Sequence, residues 1–139
     1  MTPTEKRLVQ TTFAKLVPIA DQAAAMFYRR LFEVDPSLRG LFKVDMAVQG
    51  RKLIQMIAVC VNGLDTIENL VPAIKDLGRR HAGYGVLDAH YVTVGGALLW
   101  TLEQGLGAEF TPDVKAAWTT VYTLLATTMQ SGAHAGAAS

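Results

Sequence analysis

The chain is poor in the features that mark most specialised proteins. A single cysteine, Cys60, in 139 residues cannot close an internal disulfide, so the fold does not rely on an oxidising compartment. Net charge is almost absent: thirteen Lys and Arg against twelve Asp and Glu give a formal +1. That balance argues against an electrostatic grip on nucleic acid or an anionic membrane, which needs a concentrated basic patch. No apolar run approaches the roughly 20 residues of a membrane span. The N-terminus, Met1 to Arg7, lacks the apolar core of a signal peptide. Enzyme signatures are missing as well, with no G-x-S-x-G, P-loop, H-E-x-x-H, C-x-x-C or G-x-G-x-x-G. The expectation is one soluble, cytoplasmic domain. Half of its residues are hydrophobic and only 18% charged, enough to build a core.

What the sequence does hold is helical periodicity. Thr2-Pro3-Thr4-Glu5 is a capping box with proline at the first helical position, and the helix it opens runs to Val17, before Pro18. Ala23, Met26, Phe27 and Leu31 recur at helical spacing up to Asp35-Pro36. Pro36 to Lys43 is long enough for a turn or two. Val48 to Leu64 reads as a strong amphipathic helix. Ile67, Leu70, Ile74, Leu77 and His81 read as one further stripe, stopped by Gly83 and Gly85. Tyr91 to Leu106 and a last helix opened by Thr111-Pro112-Asp113 complete the chain. Residues 131–139, rich in Gly, Ala and Ser, read as a flexible tail beyond a domain of residues 1–130. No strand alternation or internal repeat occurs. The class is all-α, with six to seven helices.

Polar residues on apolar stripes are the informative ones, because burying them costs free energy unless they find a partner. Gln49 shares a column with Leu53, Met56 and Cys60, and His81 ends the column of Ile74 and Leu77. On the residues alone, each has a plainer reading. A histidine at a helix C-terminus is a favourable cation at the negative end of the dipole, and a first-turn glutamine turns its amide to solvent. Tyr28 reads as a core aromatic, Phe42 as a plug, Cys60 as a small buried hydrophobe. His90 reads as exposed and His134 as part of the tail. His81 has no Asp, Glu or Cys at a local metal-ligand spacing, which argues against a zinc site made by protein alone. One histidine still suffices for a metal that brings its own equatorial ligands, as haem does.

Six segments in order resemble the globins, over essentially the whole chain. They are Phe27-Tyr28-x-x-Leu31-Phe32, Pro36 with Leu41-Phe42, Gln49-x-x-x-Leu53, Leu77-Gly78-Arg79-Arg80-His81 with Tyr84-Gly85-Val86, His90-Tyr91-x-x-Val94-Gly95, and Ala117-Trp118-x-x-x-Tyr122. The pattern is most similar to bacterial single-domain haemoglobins and the globin domains of flavohaemoglobins. The resemblance implies a globin fold around a haem pocket, with haem b as cofactor and His81 as the proximal iron ligand. It places Phe42 against the haem face, and Tyr28, Gln49 and Leu53 in the distal pocket. Arg80 and Lys52 are candidates to meet the haem propionates or, equally, members of a solvated face. Tyr91 corresponds to a tyrosine beside the proximal histidine. The glutamate that accompanies it in flavohaemoglobins has no counterpart in Ala126-Thr127-Thr128-Met129-Gln130-Ser131-Gly132-Ala133, so a strongly electron-donating proximal site is not expected.

The function that follows from the resemblance is reversible O₂ binding for storage, delivery or sensing. Bound O₂ carries superoxide-like charge, and a phenol and an amide aimed at it would each contribute about 1 kcal/mol. CO and NO are further expected ligands. The alternative is a nitric-oxide dioxygenase supplied with electrons by a separate reductase, since no reductase segment is expected after Ser139. A haem-free signalling module is a third class, and His81 counts against it.

Overall fold

The computed structural model describes residues 1–43 and 45–138, with side chains to His134. Six α-helices and four short 3-10 segments make up the fold, with no strand among the described residues. Helix α1, Pro3–Leu16, opens as its capping box predicts. The Thr2 hydroxyl accepts from the Glu5 amide at 3.1 Å, and the Glu5 carboxylate accepts from the Thr2 amide at 3.0 Å. Pro18 then forces the 3-10 turn Val17–Ile19 before α2, Ala20–Val34. Asp35 caps a second 3-10 segment, Pro36–Leu41, and Asp45 caps α3, Met46–Asn62, by accepting from the Ala47 amide at 2.8 Å. That aspartate starts α3 two residues before Val48.

One stripe is divided. Ile67 and Leu70 do not share a helix with His81: a 3-10 segment, Leu64–Asn69, precedes α4, Val71–Gly83. Pro72 lies in the first turn of α4, where its missing donor costs nothing, and Thr66 has non-helical torsions (φ −132°, ψ 42°). Apolar spacing continues across this kink, so periodicity alone does not reveal it. Helix α5, Asp88–Leu106, ends at Gly107 (φ +57°), and α6 spans Pro112–Ala138. Helical backbone therefore continues through most of the stretch read as a tail. Alanine favours helix there, and Gly132 is buried, not solvated.

The main core joins α1, α5 and α6 to the C-terminal end of α3 through Val9, Phe13, Val61, Leu64, Leu102, Trp118 and Val121, all at most 6% exposed. Inside it the Trp118 indole donates to the Thr12 hydroxyl at 2.9 Å, and that hydroxyl donates to the Leu8 carbonyl. Helix α2 crosses α5 and α3, while α4 packs chiefly on α6. The helices that carry Gln49 and His81 therefore each have their main partner elsewhere. Apolar side chains along them and along α5, among them Leu53, Ile57, Leu77, Val94 and Leu98, remain only half-buried.

A candidate functional site on α2, α3 and α4

Tyr28 is buried in α2 at 5% exposure. The close approach of α2 and α3 brings Gln49 to it: a β-carbon on Gly50 would meet Ala24 Cβ at 3.0 Å. The Gln49 amide then donates to the Tyr28 phenol oxygen at 3.2 Å. Phe27 and Phe42 stand edge-on to the Tyr28 ring at 4.9 and 5.3 Å, and Phe32 lies 5.6 Å from Phe42. Burial raises the phenol pKa, opposed by the Gln49 hydrogen bond, so the phenol keeps its proton. Since Gln49 occupies only the oxygen, the Tyr28 O–H is left to donate, with no acceptor among the described residues. Leu53, one turn beyond Gln49, packs on the same cluster. It also lines an apolar cavity of about 30 Å³ with Phe13, Phe27, Ile57, Leu98 and Trp118.

His81 is half-buried in the last turn of α4. Its Nδ1 lies 2.8 Å from the Leu77 carbonyl oxygen. A carbonyl can only accept, so Nδ1 carries the proton and Nε2 holds the lone pair of the neutral ring. Burial lowers the imidazole pKa; the Leu77 carbonyl opposes this and Arg80 adds to it. Neutral imidazole with one nitrogen oriented by a backbone carbonyl is the form that binds metals. The two parts of the site are joined by α5, which sends Tyr91 to the α4 side and Val94, Ala97 and Leu98 to the Tyr28 side. They also meet where Gly85, after α4, approaches Leu41, whose Cδ2 would lie 3.5 Å from a β-carbon there.

Four of the sequence-selected residues, Tyr28, Phe42, Gln49 and Leu53, therefore form one cluster. Tyr91 packs with Ile74, Ala126 and Met129, and its carbonyl accepts from the Tyr122 hydroxyl. Arg80 is exposed and engaged along its own helix, 3.4 Å from Asp76. Lys52 is exposed on α3. Neither is linked to Tyr28 or Gln49 by a hydrogen bond or ion pair among the described residues. His90 is half-buried, not exposed, and its Nδ1 accepts from the Leu87 amide at 2.9 Å at the start of α5. His134 pairs with Asp88 at 3.1 Å. Cys60 is buried, with burial raising its thiol pKa. The direct bond from Gln49 to Tyr28 was not foreseen; its sequence signal is the small pair Ala24 and Gly50.

Comparison with known proteins identifies the architecture. The Globin family model matches residues 25–129. Among curated relatives, neuroglobin-1 of Oncorhynchus mykiss is 27% identical, over 95% of this chain and 92% of its own length. The flavohemoproteins of Vibrio cholerae and Bacillus subtilis are 29% and 27% identical over 86% of this chain. The chain spans only 31% of the length of those two. Among solved structures, an engineered carbene transferase built on a candidate nitric oxide dioxygenase from Rhodothermus marinus superimposes with a TM-score of 0.89. It is 26% identical, over 99% of this chain and 96% of its own. With the family model covering most of the helical framework, and the Tyr28–Gln49 pair and His81 seated within it, the chain belongs to the globin family.

Proposed function

We propose that the chain is a haem-dependent O₂-binding protein, with His81 as the iron ligand and Tyr28 as the donor to the gas. The observation that carries this is the geometry of His81, whose Nδ1 lies 2.8 Å from the Leu77 carbonyl oxygen while Nε2 has no hydrogen-bond partner among the described residues. The half-buried apolar side chains of α3, α4 and α5 suit a flat, largely apolar cofactor. The absence of C-x-x-C-H from the sequence favours non-covalent haem b. Phe42, Leu53 and Tyr91 supply apolar packing, and Lys52 and, on leaving Asp76, Arg80 are candidates to meet the propionates. Haem supplies the iron on which a diatomic gas is held. Tyr28 then supplies an O–H that keeps its proton, since burial raises a phenol pKa already near 10, and Gln49 orients that phenol by donating to its oxygen. Leu53 excludes water beside the pair. CO and NO are expected to enter the same site. The functional domain comprises residues 1–130 together with the continuation of α6 that carries Gly132, and its place is the cytoplasm.

Reconstitution tests the assignment. One haem per chain is expected, with a Soret band that His81→Gly alters in both ferrous and ferric states. An unchanged spectrum in that variant overturns the proximal role. The likeness to the Rhodothermus marinus protein favours nitric-oxide dioxygenation as a second reading. The same residues would serve it, with electrons from a separate reductase. This chain has no Rossmann glycine signature, so NO consumption in the presence of NADH is expected to stop once the loaded protein is oxidised. Sustained consumption without added reductase would make the enzyme reading primary.

A further inference from the structure

The contact between α4 and α6 is made by backbone. A β-carbon placed on Gly78 would lie 2.6 Å from Met129 Cα and closer still to the Met129 carbonyl oxygen. One placed on Gly132 would lie 2.6 Å from Lys75 Cα and closer to the Lys75 carbonyl oxygen. The pairs are reciprocal: Lys75 and Gly78 are three residues apart on α4, Met129 and Gly132 three apart on α6, and the helices run antiparallel. Any side chain at either glycine would push the helices apart. Glycine inside a helix weakens it relative to alanine, so two at the contact points are a cost offset by close approach. Leu77, beside Gly78, provides the carbonyl that orients the imidazole. His81 follows Gly78 by about 4.5 Å of helix rise and lies about 60° round the axis.

We infer that Gly78 and Gly132 are positioning residues, which draw α4 onto α6 and thereby set the height and tilt of His81 toward the iron. This rests on the haem reading above. The imidazole rides on a stiff helix whose chief partner is α6, so a displacement at Gly78 passes to Nε2 nearly undiminished. With no glutamate on the described part of α6 to steer the ring, helix placement and the Leu77 carbonyl are what orient it.

The test compares Gly78→Ala, Gly132→Ala and the control Gly83→Ala, which adds the same methyl to α4 in open space. The readouts on haem-loaded protein are the ferrous iron–histidine stretching band and the rate of haem loss. Gly78→Ala is expected to shift the band and speed haem loss about tenfold. Gly132→Ala should shift the band in the same direction by less, and Gly83→Ala should leave both unchanged. A folded, haem-loaded Gly78→Ala with unchanged band and rate overturns the inference. If Gly78→Ala does not fold, Gly132→Ala near the end of α6 decides alone, an unmoved band overturning the inference and a moved band supporting it. A parent that takes up no haem sinks the O₂-binding reading and this inference together, whereas an unmoved band in a loaded variant sinks only the inference.

Discussion

Around Trp118 the helices meet through large interdigitated side chains, whereas α4 meets α6 through glycine. In the first region Phe13, Leu102, Trp118 and Val121 are almost wholly removed from water. In the second, Ile74, Tyr91, Ala126 and Met129 are buried, but Leu77, Val86 and His81 are only half covered. The packing terms that stabilise a globular domain, transfer from water and dispersion contact, are thus concentrated in the first region. The second region leaves more apolar surface uncovered, as the proposed cofactor site requires.

The strongest way to break this contrast is to delete the large residue of the first region. Trp118→Ala should destabilise the haem-free protein by about 3–5 kcal/mol, read as a lowered midpoint in denaturant. A loss no greater than that of a half-buried residue of α4 would mean that the two regions share the stability evenly. On the ligand side, Tyr28→Phe should speed O₂ release ten- to a hundredfold, about 1.4–2.8 kcal/mol. Gln49→Leu should speed it only a few-fold, because the Gln49 amide acts through the phenol oxygen. CO, less polar when bound, should respond weakly to both. Stopped-flow rates within about twofold of the parent in both variants would remove this pair from ligand control.

Smaller effects sharpen the contrast. Leu77→Ala should cost the haem-free protein only about 1 kcal/mol, since a half-buried leucine has less transfer energy to lose. The loaded protein should lose more, and equal losses in the two forms would show that Leu77 faces no cofactor. The smallest effect is pH dependence. Burial lowers the His81 pKa from its ordinary 6.5, so the unfolded chain takes up the proton first. The stability due to neutral His81 is complete above pH 6.5 and is lost as pH falls below it toward the folded pKa. The haem-free midpoint should therefore decline through this window, and less steeply in His81→Gln. Glu5, lowered from 4.5 chiefly by the Thr2 amide and also by the Thr120 hydroxyl, acts at lower pH and does not mask it. A parent and variant with parallel profiles would contradict the environment assigned to His81.

Much of the framework was legible because it is written in neighbouring residues. Thr2 and Glu5, Pro18, and Asp35 with Pro36 each start or stop a helix by satisfying or removing a backbone hydrogen bond close by in the chain. The division of the stripe at Pro72 escaped, since leucine and isoleucine kept helical spacing through a 3-10 turn that itself buries Leu64. In the candidate site, Gln49 and His81 were recognisable as polar residues in apolar columns. Their partners were not, because the Leu77 carbonyl and the Tyr28 oxygen become available only once each rotamer and helix crossing is set.

By itself the sequence determined an all-helical chain, most of its helix boundaries, and the residues that would be costly to bury without a partner, for these follow from local hydrogen bonding and from the 3.6-residue period. Tertiary structure alone decided that Gln49 donates to Tyr28, that the His81 Nδ1 faces the Leu77 carbonyl, and that Gly78 meets Met129 while Gly132 meets Lys75. For the helix crossings the physical reason is distance along the chain, whereas for His81, whose partner Leu77 is four residues away, it is the side-chain rotamer that burial selects. The partners in these helix crossings lie about 20 to 60 residues apart, and no local rule couples them until burial of the shared core fixes the angle and separation of their helices.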